Sequence, residues 1–378
     1  MRHTKTQANK LAMKNTTMRG GGYYSLSTAG AKDVIDGASE LVMQALETQL
    51  QSHLQAATGN HVFTIADMGC ADGGTSLDLM HQVVRTMRQQ APQRPIRLVY
   101  EDQPQNDYNA LFQNVRATQP DGTSLATIPE VYLSAAPISF YEQVLPNGTL
   151  NLGFSATAMH WLSKKPCEIP YHVQAVGAQG EELAAFAEQG RKDWERILAC
   201  RAAELAPEGR MVIVNFCRDE QGQYLGNTGG VNMFNLFATL WETLVQEDVI
   251  TADEFTRMTL PQYYHSVEEL QAPFAPDGIA HQAGLRLEQI ETRVVACPYA
   301  ARFHAGEWDA ATFARSYIPT LRSWTENTFF SALSENRPAA ERHAIIQRYY
   351  NTYQERVACE PEQHRMDYVH AYMVIRKV

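Results

Sequence analysis

The stretch Ile65-Ala66-Asp67-Met68-Gly69-Cys70-Ala71-Asp72-Gly73-Gly74 sets an acid ahead of a glycine-rich turn, and Tyr100-Glu101-Asp102 sets two more at the end of the next apolar run. Glycines let backbone approach a ligand closely, and ligands of open α/β sheets lie outside the carboxyl ends of the strands. Neither the Gly-x-Gly-x-x-Gly of dinucleotide sites nor the Gly-Lys-Ser/Thr of phosphate loops is present in this loop. An acid before the turn suits a cationic amino-acid group, not a pyrophosphate. A carboxylate at the neighbouring strand end can accept both hydroxyl protons of a ribose. Together the two fit S-adenosylmethionine, whose ammonium and sulfonium charges favour carboxylates and aromatic faces and whose adenosine needs an apolar slot. The plainer alternative is that Asp67 caps the following helix, the glycines only turn the chain and Asp102 is a surface acid; the loop alone leaves it open.

To do this chemistry the acids must sit on adjacent strand ends. Val62 to Met68 is a short, β-branched run ending at Gly69, and Ser76 to Gln90 follows with helical spacing. The alternation continues with strands at Ile96 to Glu101, Val131 to Ala135 and Leu150 to Ser155, and helices at Asn106 to Thr118 and about Glu181 to Glu204. The continuous apolar run within Gly209 to Phe216 suits a strand buried on both faces. An amphipathic helix, Lys32 to about Gln55, precedes the first strand. This pattern predicts a mainly parallel sheet covered by helices on both faces. Beyond Phe216, Val231 to Val249, Trp308 to Ser334 and Ala339 to Ala358 read as helices, which predicts a helical cap. Leu287 to Ala296 and Tyr368 to Arg376 read as strands, expected to form an antiparallel edge hairpin.

Composition narrows the class. With 378 residues, 44% hydrophobic and 20% charged, the chain can bury a sizeable core as one enlarged domain or two modest ones. Lys+Arg 32 against Asp+Glu 42 gives a net charge of −10, which argues against nucleic acid as the main partner. The six cysteines show no Cys-x-x-Cys pair and no zinc spacing, so reduced thiols in a cytoplasmic protein and no metal are expected. The N-terminus is basic and polar without the apolar core of a secretory signal, and no apolar run approaches the ~20 residues that span a bilayer, so no membrane partner is expected.

Seven stretches, in order from Met18 to Tyr264, resemble the plant SABATH family of S-adenosylmethionine-dependent carboxyl methyltransferases: MRGGGYYSLST, IADMGCADGG, EDQPQNDYNALF, APISFYEQVLP, FSATAMHWLS, EGRMVIV and LPQYY. The resemblance implies an α/β fold, a Rossmann-like class I methyltransferase sheet covered by helices on both faces, with a helical cap. It divides the chain into a mobile segment 1–20, a cofactor-binding core of 21–220 plus 280–300 and 365–378, and a cap of 221–280 and 301–364 that contributes the acceptor pocket. It implies S-adenosyl-L-methionine as cofactor, transfer of its methyl group to the carboxylate of a small organic acid, and pairing as a homodimer.

Residue by residue, the resemblance puts Tyr24 and Thr28 in a segment closing over the cofactor. Asp67, Gly69 and Cys70 fall at its methionine end, Thr75 just inside the next helix, and Asp102 with Gln103 at the ribose. Ser139 and Phe140 hold the adenine, and Ser155 lines the wall between cofactor and acceptor. Trp161 offers its indole N–H to the substrate carboxylate beside His160, and Phe234 walls the acceptor pocket. Without the resemblance, Ser139-Phe140-Tyr141, His160-Trp161 and Phe234-Phe237-Trp241 read as core. One position departs from the family: its carboxylate-binding glutamine falls at Ala31. Arg19, Lys32 or His160 is then expected to supply the missing donor, or the small Ala31 makes room for a larger or dicarboxylic acceptor.

A carboxylate, with an ordinary pKa of ~4, is ionised at pH 7 and needs no base, so alignment in a dry pocket carries the rate. A hydroxyl or ring N–H acceptor would instead call on His160, ordinarily titrating near ~6.5, as base. The other readings are a dinucleotide-dependent oxidoreductase, disfavoured by the loop, and a non-catalytic nucleoside-binding homologue.

Overall fold

The computed structural model describes residues 29–56, 61–119 and 121–378, with side chains 52–56 left aside. Helix α1, Ala29–Ala56, leads into β1, Phe63–Met68, and α2, Leu77–Gln90. Next come β2, Ile96–Asp102, α3, Tyr108–Val115, β3, Val131–Pro137, and β4, Leu150–Ala156. The long helix α4, Gly180–Glu204, runs straight into β5, Leu205–Arg218. Each lies within a few residues of its sequence-based bounds, because periodic apolar spacing and clear breakers mark them.

The sheet order is β3-β2-β1-β4-β5-β8-β7, where β7 is Leu285–Val295 and β8 is Tyr368–Lys377; a two-residue strand β6, His265–Ser266, pairs with the end of β5. Strands β1 to β5 pair in parallel, and β8 is antiparallel to both β5 and β7. The two late strands thus form the expected antiparallel pair at this edge of the sheet, with β8 against β5 and β7 outermost, but no tight turn joins them. The chain between them holds three helices, α9, Pro298–His304, α10, Ala310–Ala332, and α11, Ala339–Cys359, too long a connection for a hairpin turn.

Period-two alternation splits the core in two. On β5, Val212, Val214 and Phe216 join one apolar cluster with α1 and α2, whereas Met211, Ile213 and Cys217 join another with Trp194, Ile197 and Leu198 of α4. The first cluster continues into α10, α11 and a helix at Met233–Gln246, here α5, so the late helices extend the core on one side of the sheet. Four shorter elements with too few residues to show a period went unread: α6, Ala252–Arg257; α7, Val267–Gln271; α8, Ile279–Gln282; and α9. Among the described residues no helix is long and apolar enough to cross a membrane, and no three His, Cys, Asp or Glu side chains are arranged so that they could hold a metal ion.

Candidate active site

Strand order reverses between β1, which continues to β2 and β3, and β4, which continues to β5, so a crevice opens at their carboxyl ends. Asp67 on β1 is buried and accepts from the Ser76 hydroxyl at 2.5 Å. Ser76 precedes α2 and makes no side-chain cap of its own. Asp67 therefore does not cap that helix; it is held at the strand end by the residue that would. Beyond it Gly69 has φ +73°, and a Cβ there would collide with that of Ala158, so the turn requires glycine on both counts.

Register places Met68 opposite Glu101, and β2's acids tie down this turn. The Glu101 carboxylate accepts from the Gly69 N–H at 3.1 Å, and Asp102 accepts from Ala71 N–H and Gln103 N–H, each at 2.7 Å. Three carboxylates are thus gathered in little solvent. Burial, above all, pushes Asp67 up to about 7 and raises Glu101 and Asp102 as well. The Glu101 Oε1, Gln103 Oε1 and Ser155 Oγ atoms are buried with no partner. Glu101 was read only as a neighbour of Asp102; its place one residue inside the strand end is the signal of deeper burial. Cys70 and Thr75 are buried in the same loop, and burial lifts the Cys70 thiol well above its usual range.

After β3, Ser139 and Phe140 are buried, and the Phe140 ring lies 4.0 Å from where a Cβ on Gly69 would stand. Helix α4 holds this loop through a buried Arg201–Glu204 pair at 2.7 Å. Arg201 Nη1 donates to Phe140 O and Nη2 to Glu142 O, both at 2.9 Å, while Glu204 accepts from Val144 N–H at 2.5 Å. The sequence signal was Arg-Ala-Ala-Glu, an i, i+3 ion pair on a helix face otherwise apolar.

The turn after β4 begins at Thr157 (φ 55°), whose N–H donates to Val214 O at 2.8 Å, and carries His160 and Trp161 into a cavity of about 30 Å³. Two to three times the ~10–15 Å³ that admits one water, the space is tight. Its wall is built from Thr157, His160 and Trp161 of this turn, Phe216 of β5, Leu225, Gln262 and Tyr264 of the connecting segments, Trp324 of α10, and Met366 and Tyr368 at β8. No lysine, arginine or acid is among these described residues. Burial drives His160 down to about 3, with the Asn215 carboxamide acting the other way, so the imidazole is neutral. Its ring meets Phe216 edge-on at 4.7 Å.

Several expected acceptor residues lie elsewhere. Phe234 is fully buried behind the wall, with ring centroids 6.0 Å from Tyr264 and 6.2 Å from Trp324. Ala31 is buried in α1 and is not among the wall residues, although the adjacent Gly30 packs so closely on Tyr368 that a Cβ would clash with its ring. Lys32 points to the surface, paired with Asp36 at 3.0 Å and Asp78 at 2.9 Å, and so supplies no donor to the cavity. Arg19, Tyr24 and Thr28 lie outside the described residues. Most of the wall went unread because its residues come from six separate stretches of chain.

Known proteins place this geometry. Loganic acid O-methyltransferase of Catharanthus roseus is 28% identical over 265 residues, 66% of this chain and 68% of that protein. Salicylate carboxymethyltransferase of Clarkia breweri is 28% identical over 227 residues, 57% and 60% of the two chains. The structure of a loganic acid methyltransferase with SAH shares the fold, with a TM-score of 0.73 and 22% identity over 96% of this chain and 98% of that one. Residues 13–378 match the family of SAM-dependent carboxyl methyltransferases. Over nearly its whole length, then, this chain belongs to the SAM-dependent carboxyl methyltransferases, enzymes that take S-adenosylmethionine as methyl donor and a carboxylate as acceptor.

Proposed function

We propose that this enzyme forms the methyl ester of a small, flat monocarboxylic acid. The observation that carries the reading is the cavity's lining, mostly aromatic and without a charged side chain among its described wall residues. A second carboxylate or a sugar in such a space would lose its hydration without replacement partners, at several kcal/mol. This argues against the larger or dicarboxylic acceptor that Ala31 had left open.

S-adenosylmethionine fits the crevice. The buried carboxylates of Asp67 and Glu101 and the half-buried one of Asp102 are short of positive charge, and Ser155 Oγ and Gln103 Oε1 lack partners. Asp67, Gly69, Cys70 and Thr75 would hold the methionine end, Asp102 and Gln103 the ribose, Ser139 and Phe140 the adenine, and Ser155 the wall toward the acceptor. When bound, the cofactor supplies a methyl that a carboxylate oxygen takes in line, leaving a neutral thioether. The chain's own residues align and exclude water. Trp161 offers one indole N–H to the acid, and His160, held neutral by burial, orients it and takes no proton. Residues 221–280 and 301–364 act as the cap over the acceptor. We place the enzyme in the cytoplasm, a reading supported by six unpaired cysteines, and, on the family's pattern, as a homodimer.

Titration calorimetry with S-adenosylhomocysteine, followed by methyl transfer from labelled cofactor to benzoate, salicylate, indole-3-acetate and loganic acid, tests this. Cofactor binding with turnover of the small aromatic acids, at a rate flat from pH 7 to 9, is expected. Binding without turnover of any acid, or a rate rising through a pKa near neutrality and abolished in His160→Ala, would overturn it.

A further inference from the structure

We infer that Gln262 is a second donor to the acceptor's carboxylate, side by side with Trp161; the inference deepens the proposed function and rests on it. The segment Leu260 to Tyr263 runs antiparallel to His160 to Leu162. Leu162 N–H donates to Pro261 O at 2.8 Å and Tyr263 N–H donates to His160 O at 3.0 Å, so the two bonds flank Trp161 and Gln262, which face each other as an isolated antiparallel bridge. A pair flanked in this way is the closer, non-hydrogen-bonded kind, whose side chains leave on the same face with Cβ atoms about 4.5–5.5 Å apart. Both side chains line the acceptor cavity.

The Gln262 side chain is also oriented. It is 1% exposed, and its Oε1 accepts from the Tyr264 hydroxyl at 3.3 Å, which leaves the NH₂ as the end available to an anion. A carboxylate in a dry pocket needs more than the single N–H of an indole, and Ala31 has none to give from α1. The carboxamide N–H and the indole N–H make a fork of two neutral donors, which binds one carboxylate and needs no counter-charge. The fork also fixes which oxygen stays free to receive the methyl.

The test uses the full-length protein. Binding of the best-turned-over acid of the panel to protein loaded with S-adenosylhomocysteine is measured by calorimetry, in parallel with the acid's uncharged carboxamide analogue, for wild type, Gln262→Leu and Gln262→Glu. The Glu variant keeps the side chain's shape and its acceptor for Tyr264, so it guards against a folding defect in the Leu variant. Expected are a 10- to 100-fold loss of acid affinity in Gln262→Leu and a greater loss in Gln262→Glu. The KM for the acid should rise with them, while affinity for S-adenosylhomocysteine and for the carboxamide analogue stays within about threefold of wild type. Acid affinity unchanged in the Glu variant, or lost in step with cofactor affinity, overturns the role of Gln262 alone. Failure of the wild type to bind any acid of the panel while binding S-adenosylhomocysteine overturns the proposed function and the fork together.

Discussion

At the scale of residues, the site is a place where acids are kept dry and short of cations. Asp67 titrates near 7 because burial disfavours its charge, and the Ser76 hydroxyl offsets that only in part. A cationic ligand favours the ionised carboxylate. Below pH 7 the free protein holds a proton on Asp67 that binding must expel, so affinity falls as pH falls and is fully developed above 7. Between pH 8 and 6 the dissociation constant for S-adenosylhomocysteine should rise by up to ~10-fold, and Asp67→Asn should weaken binding and flatten the profile. Calorimetry at three pH values checks this; a wild-type constant that does not move from pH 8 to 6 would contradict it. Asp67 and Asp102 were legible in the sequence because an acid at a strand end beside a glycine turn is a local pattern. Gln262 was not, because its role comes from register with Trp161, a pairing that no spacing along the chain encodes.

At the scale of elements, helix α4 sets where Phe140 stands. The Arg201–Glu204 pair sits almost wholly out of water and spends its remaining hydrogen bonds on the 140–145 loop. Removing one partner strands the other, so Glu204→Gln should destabilise the protein by about 3–5 kcal/mol. It should also weaken S-adenosylhomocysteine binding by about tenfold as Phe140 loses its support. Thermal melting and calorimetry on the same sample read both; full cofactor affinity in a clearly destabilised variant would show that the loop does not depend on α4. The long helices and the strands were readable because each carries its own period. Strand order was not: β8 looks like any apolar alternating run, and its place between β5 and β7 follows from which edge is free once the parallel strands have paired.

At the scale of the whole molecule, pH acts on stability in two opposed ways. His160 and His364 are depressed to about 3 and about 4, and His370 well below its ordinary value, chiefly through burial. Unfolded histidines bind protons below about 6.5 and these folded ones do not, so their contribution is present above that pH and lost as pH falls through it. The raised carboxyl groups work in the reverse sense: Asp67 in the folded state keeps its proton up to about 7, and that contribution is lost as pH rises toward it. His370 isolates the first effect, since it stacks on Phe216 at 4.0 Å with neither ring nitrogen bonded. His370→Phe should be neutral to stabilising at pH 7.5 and gain stability at pH 5, by melting temperature; a variant hurt more at pH 5 than at 7.5 would refute the assignment. The overall α/β class was legible from alternating periods, whereas which residues of the late helices reach the cavity was not, since a wall residue such as Trp324 carries no mark distinguishing it from core. Finally, because residues 368–377 fill the slot between β5 and β7, a nascent chain cannot complete its sheet while that stretch is still inside the ribosome's exit tunnel. Until it emerges, two bare strand edges are open to other polypeptides, so the sheet of this enzyme closes only once residues 368–377 are free to pair.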